Sequence, residues 1–163
     1  MTSSITRAGS GPAVTVRRAT ARDARRLTRL VRASRAYEAP YTAMVADYRV
    51  GPDYIEAHRV FVAAARADDR VLGFYSLIVA PPELDLMFVA DDAQGLGIGR
   101  LLVSHMRDEA RAADLDHVRV VSHPPAEGFY RSVGALRTGT ALARPPAVAW
   151  DRPELVFPIT PEI

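Results

Sequence analysis

Two neighbouring stretches carry residues whose types and spacing could do chemistry. The first reads QGLGIGR over residues 94–100, with Gly95, Gly97 and Gly99 at alternate positions. It opens directly into LLVSHMRDEARAA, a helical pattern. Glycine lets backbone approach a ligand closely, and the first turn of a helix presents amide N–H groups without partners inside the helix. Such a turn favours an anion, and Arg100 adds a guanidinium that can reach a phosphate. A Rossmann fingerprint is not met, because its third glycine would fall on Arg100. A Walker loop is excluded, because the chain has no lysine. The second stretch, ELDLMFVA, lies just before the loop. Strand alternation predicts Glu83, Asp85 and Met87 on one face and Leu84, Leu86 and Phe88 on the other. Two carboxylates on one face can raise one another's pKa and attract a cationic amine.

Composition narrows the remaining chemistry. There is no cysteine among the 163 residues, which excludes disulfides, thiolate metal sites and a cysteine nucleophile. His58, His105 and His117 read as surface or helix-packing residues, and their spacing gives no metal site. All 21 basic residues are arginine, balanced by 19 acids to a net charge of +2, so a dedicated nucleic-acid face is not expected. The arginine-only set and the alanine richness fit a GC-rich bacterial genome. The run from Arg17 to Arg35 reads as the solvated side of a helix. No apolar run reaches the roughly 20 residues of a membrane span. The start MTSSITRAGSGPA lacks a signal-peptide core, so the expected location is cytoplasmic.

The elements that must position these residues follow from periodicity. Residues 1–12 are Ser-, Thr- and Gly-rich and are expected to be a disordered tail, with residues 13–163 forming a single domain. VTVRRA alternates as a strand, and Thr20 caps a helix with Ala24, Leu27, Leu30 and Val31 on one side. Further helical stretches are predicted over 42–48 and, with Pro52 at its start, over 52–58. VFVAAA, VLGFYSLIVA and ELDLMFVA form a three-stranded meander, followed by the glycine loop and its helix. HVRVVS is a strand, PPAEGFYRSVGA a short helix, and LRTGTALA and PELVFPI are two final strands. The sequence thus predicts a mixed α/β layer fold.

The loop also fits a third pattern, Q/R-x-x-G-x-G/A, with Gln94, Gly97 and Gly99 in its fixed positions. Through MFVADDAQGLGIGRLLVSHM and SHPPAEGFYRSVGA the chain resembles the GNAT superfamily of N-acetyltransferases, and the order of elements from Val14 to Ile159 fits as well. The resemblance implies a central, mostly antiparallel twisted sheet of six to seven strands flanked by about four helices. It implies that acetyl-CoA is the co-substrate, with its pyrophosphate on the amides of Gln94, Gly95, Leu96, Gly97, Ile98, Gly99 and Arg100; a side chain at 95, 97 or 99 would obstruct that approach. Met87, Phe88 and Val89 would pair through their main chain with the pantetheine arm, beside Ala126 and Tyr130. The matching tyrosine of the family, here Tyr130, acts as general acid near the sulfur. Glu83, eleven residues before Gln94, stands where one branch of the family places its base; in other members water chains do that work, which would leave Glu83 an orienting group.

The block His123-Pro124-Pro125-Ala126 departs from the family's D-P-N-A, and Pro125 has neither N–H nor side-chain amide to donate. His123 either replaces the base or caps the strand end. The acceptor pocket of this architecture would draw on Arg35, Tyr37, Glu38, Tyr41, Asp47, Asp85 and Trp150, a set suited to a small organic amine or a peptide N-terminus. Arg35 could instead hold a substrate carboxylate. The expected function is acetyl transfer from acetyl-CoA to a primary amine by direct attack in a ternary complex, with no metal, no nucleic acid and no membrane, and a homodimer as an option. Pro125 motivates the alternative, a non-catalytic acyl-CoA-binding module.

Overall fold

The computed structural model of the chain describes residues 4–7, 13–35 and 45–161. Its frame is an eight-stranded sheet in the order β1-β2-β3-β4-β5-β6-β8-β7. In chain order β1 is Ser4–Arg7, β2 Ala13–Arg18, β3 Arg59–Ala65, β4 Val71–Ile78, β5 Glu83–Val89, β6 His117–Val121, β7 Leu136–Ala141 and β8 Arg152–Pro158. The described residues also form α1 Ala24–Arg32, α2 Pro52–Ala57, α3 Ile98–Ala112 and α4 Glu127–Ser132. Every strand pairing is antiparallel except that of β5 with β6. Seven strands from Ala13 onward match the expected mixed α/β sheet. The eighth, Ser4–Arg7, goes beyond the expected six to seven strands and pairs with β2. The open edge of β2 would otherwise leave a row of backbone donors and acceptors unpaired, and Ile5 and Thr6 are β-branched. The helix expected over 42–48 has a turn at residues 45–47, and residues 42–44 lie outside the described part.

The central strands are covered on both faces, which is why β4 reads as a nearly unbroken apolar run. On one face Leu72, Tyr75 and Leu77 pack with Leu102 and Met106 of α3 and Tyr130 of α4. On the other, Phe74 packs with Leu27 and Val31 of α1 and Ile55 of α2. The stripe Ile98, Leu102, Met106 and Ala110 buries one side of α3. This helix rests close on β4. A Cβ placed on Gly73 would come within 2.8 Å of the Phe88 carbonyl oxygen and 3.2 Å of Leu102 Cδ1. His105 is buried beneath α3, where its Nδ1 and the Tyr75 hydroxyl share a hydrogen bond of 2.8 Å. Burial lowers its pKa and so favours the neutral ring. Among the described residues no helix is long and apolar enough to cross a membrane.

Two irregularities in β5 shape everything that follows. Ser76 of β4 opposes Leu86, yet Leu77 opposes Leu84, so Asp85 is an extra residue, a bulge. The bulge corrects the expected alternation. Leu84 and Met87 pack on the α3 side, while Leu86 and Phe88 pack on the α1 side. The second irregularity is that β5 meets β6 at one register pair, Glu83 with Arg119, and beyond it the two strands part.

Candidate active site

The parting strands open a cavity of about 430 Å³ between the end of β5, the loop before α3, and α4. Met87, Phe88, Val89, Gln94, Gly95, Gly97, Ile98, Gly99, Arg100, His123, Ala126 and Tyr130 all line it, as does Pro125. Leu96 does not; it packs against the α3-side core. Gly95 and Gly97 adopt φ of 81° and 79°, the left-handed region, and a Cβ on either would meet nothing within 4 Å. They serve the backbone conformation and leave the loop bare. Gly99 differs. A Cβ there would lie 3.0 Å from Phe129 Cζ, so this glycine makes room for α4 rather than clearing a ligand's path. Gly97 is the N-cap of α3, and the N–H of Leu101 is the first to bond back to it, at 3.0 Å. The amides of residues 98–100 precede that bond and form the positive end of the helix dipole. The Gln94 side chain donates to the Val89 carbonyl at 3.2 Å and ties the loop to β5.

A second cavity of about 230 Å³ adjoins the first on the α1 side of the sheet. The two share Met87, Phe88, His123, Ala126 and Tyr130 as their common wall. Tyr130 is buried, held edge-on against Phe129 and Phe157 with ring centroids 5.4 and 6.2 Å away. The rest of the second cavity is apolar (Val31, Val45, Leu86, Val120) apart from Tyr48, Asp85, Ser122 and Arg152. Asp85 is fixed by a relay. The Leu86 N–H donates to Ser76 Oγ at 3.1 Å, Ser76 and Tyr54 hydroxyls share a 2.6 Å bond, and the Tyr54 hydroxyl donates to Asp85 Oδ2. Burial, and next the bond to Asp85, push the Tyr54 hydroxyl far above its ordinary pKa, so it stays a donor. Burial and the Asp85 charge also raise the Tyr48 hydroxyl.

The structure separates the two strand carboxylates. Glu83 turns to Arg119, which donates to it at 3.0 Å and to Glu154 at 2.8 Å. All three line a different cavity, beside β7 and β8, and Glu83 lines neither half of the cleft. Asp85 does line the smaller cavity. Arg35 is exposed, and its backbone N–H donates to Asp91 at 3.1 and 3.3 Å, which pins the end of α1 to the loop. Asp47 is exposed in the 45–47 turn, and Trp150, in the β7–β8 connection, lines neither cavity. Tyr37, Glu38 and Tyr41 lie outside the described residues. Sequence reasoning missed Ser34, Tyr48, Tyr54, Ser76 and Arg152. Only Ser76 left a signal, a hydroxyl inside a fully apolar strand that must find a partner. Among the described residues no cluster of three or more His, Asp or Glu could hold a metal ion.

Cavities that share a wall let two bound molecules meet there, and this wall carries a phenol and an imidazole; group transfer between two substrates is the class of chemistry such a cleft serves. The sequence model of the acetyltransferase (GNAT) domain matches residues 32–142, and the chain belongs to that family of acyltransferases. No curated protein matches it in sequence. Solved structures share its fold. A GCN5-related N-acetyltransferase from Rhodopseudomonas palustris superposes with a TM-score of 0.76 at 18% identity, covering 91% of this chain and 96% of that one. The ribosomal-protein-S18-alanine N-acetyltransferase of Escherichia coli gives 0.68 at 16% identity, covering 92% and 96%. The protein yncA of Salmonella typhimurium, solved with its cofactor acetyl-CoA, gives 0.68 at 19% identity, covering 92% and 96%.

Proposed function

We propose that the protein is an N-acetyltransferase that moves an acetyl group from acetyl-CoA to a primary amine of a small molecule or peptide. The observation that carries this reading is that Tyr130 lines both cavities, so one hydroxyl borders donor and acceptor alike. The larger cavity fits the carrier. The bare backbone at Gly95 and Gly97, the first-turn amides of α3 and Arg100 suit a diphosphate, and the β5 edge freed from β6 suits a peptide-like arm. Bound there, the carrier supplies an acetyl group already activated as a thioester.

The chain's own residues do the rest. Asp85 draws an ammonium into the smaller cavity, and the relay through Tyr54 holds its carboxylate in place. His123, on the common wall, takes the proton that the amine must lose before it can attack. Glu83 is left out of this role, since its carboxylate is bound to Arg119. As the C–S bond breaks, Tyr130 gives a proton to the departing sulfur and is restored by the second proton, which the nitrogen sheds as the amide forms. Because both substrates border one wall, attack is direct in a ternary complex; the chain has no cysteine to carry an acyl group between them.

Mixing protein, acetyl-CoA and a panel of primary amines should release free thiol. The Tyr130→Phe variant should lose about 10²-fold or more in kcat, the usual weight of one general acid, with acetyl-CoA affinity unchanged. Binding of acetyl-CoA without thiol release from any amine would instead favour the non-catalytic acyl-CoA-binding module.

A further inference from the structure

The smaller cavity is lined by an arginine whose Nε has no hydrogen-bond partner among the described residues. Arg152, at the start of β8, lines both that cavity and its neighbour beside β7. Its Nε is buried and makes no hydrogen bond. Buried donors in folded proteins are almost always paired, and an exception calls for a reason. Glu83 and Glu154 line the neighbouring cavity together with Arg152 but do not pair with it. Arg119 occupies them instead, at 3.0 and 2.8 Å. Asp85, the carboxylate of the smaller cavity, is bound by Tyr54. Arg152 is thus a guanidinium at the cavity wall whose Nε bonds no carboxylate, since Arg119 holds Glu83 and Glu154, and Asp85, held by the neutral Tyr54 hydroxyl, keeps its charge for a ligand.

From this we infer that Arg152 is a carboxylate-binding subsite, and that the acceptor is an aminocarboxylate: an amino acid or a close analogue carrying a free carboxylate. The inference rests on the acetyltransferase reading and gives it a substrate class. The opposed charges orient the acceptor. Asp85 attracts the ammonium end, a guanidinium fork matches a carboxylate in two parallel bonds, and the apolar walls from Val31, Val45 and Val120 accept a small side chain. A volume of about 230 Å³ suits one amino acid rather than a folded protein's terminus with its neighbours. The carboxylate clamp expected at Arg35 is thereby moved to Arg152, for Arg35 lines neither cavity.

The test compares glycine, alanine, leucine and β-alanine with their carboxamides and with ethylamine and isobutylamine, following thiol release from acetyl-CoA. The free acids should show kcat/KM at least 100-fold above their neutral counterparts. In Arg152→Gln that preference should fall below about 5-fold, mainly through KM, and Arg152→Lys should restore part of it. Acetyl-CoA affinity, measured on the same samples, reports on folding and on the parent reading separately. Normal acetyl-CoA binding with amides and simple amines acetylated as well as the acids would overturn the carboxylate subsite alone. So would an unchanged preference in Arg152→Gln. Failure of the wild-type protein to bind acetyl-CoA would remove the acetyltransferase reading and this inference with it.

Discussion

At the scale of single residues, three glycines of one motif do different work. Gly97 holds a left-handed backbone in open space, while Gly99 has ordinary φ and touches Phe129 where its Cβ would be. Alanine should therefore separate them. Gly97→Ala must place an L-residue in the left-handed region, at about 1 kcal/mol or more, and distorts the cap that presents the amides. It should weaken acetyl-CoA binding by about tenfold with little change in the kcat of the loaded enzyme. Gly99→Ala pushes on Phe129 and so on its neighbour Tyr130; it should lower kcat by more than it lowers affinity. Calorimetry with acetyl-CoA and steady-state kinetics on both variants check this, and equal effects of the two would refute the division. Glycine spacing marked the loop from sequence, because an anion cradle has few local solutions. The residues of the smaller cavity and its relay left almost no mark. Tyr54, Asp85 and Arg152 come from α2, β5 and β8, and only the folded sheet brings them to one place.

At the scale of elements, the joints between them carry charge. Asp23, just before α1, is 1% exposed and receives two bonds of 2.9 Å from Arg17 of β2, one of 2.9 Å from the Thr20 N–H and one of 2.6 Å from Arg26. Burial works to raise its pKa, but the Arg17 guanidinium, the Thr20 amide and Arg26 outweigh it and hold Asp23 at about 2. A carboxyl held below its unfolded value of about 3.9 contributes stability above that value and loses it as pH falls toward the folded value. Wild-type stability should thus drop between about pH 4 and pH 2. Asp23→Ala should cost about 2–3 kcal/mol at neutral pH, from a lost cap and a stranded Arg17 bond, and should flatten that acid limb. Denaturant melts of both proteins at a series of pH values measure the difference. Thr20 as a cap was legible in the sequence. That Asp23 would gather partners from two other elements was not, since Arg17 and Arg26 look like any of the arginines around them. The bulge at Asp85 was hidden for a related reason: period-two alternation assumes an unbroken register, and nothing in ELDLMFV announces an extra residue.

On the scale of the whole molecule, the order of strands and helices could be read ahead of the structure, because each apolar run is long, punctuated by Gly or Pro, and repeats with the period of its element. The strand Ser4–Arg7 escaped notice because its composition is that of a polar tail and its pairing depends on the vacant edge of β2. The parting of β5 from β6 escaped it too, for a gap between two strands is a relation and not a property of either. That gap has a further consequence. Sheets normally hide their unpaired amides by ending in a loop or a charged rim, yet this one keeps a raw seam in its interior, of a kind that a guest of peptide-like shape can close. On the proposed reading, that seam is the docking rail for the carrier's arm and, until the carrier binds, an unguarded length of backbone. Deuterium uptake at the Met87 and Val89 amides, which alternate away from β4, should be fast in the empty protein and slow markedly once acetyl-CoA is added, while the amides of β4 hold steady in both; equal uptake in the two states would mean that the rail is not used.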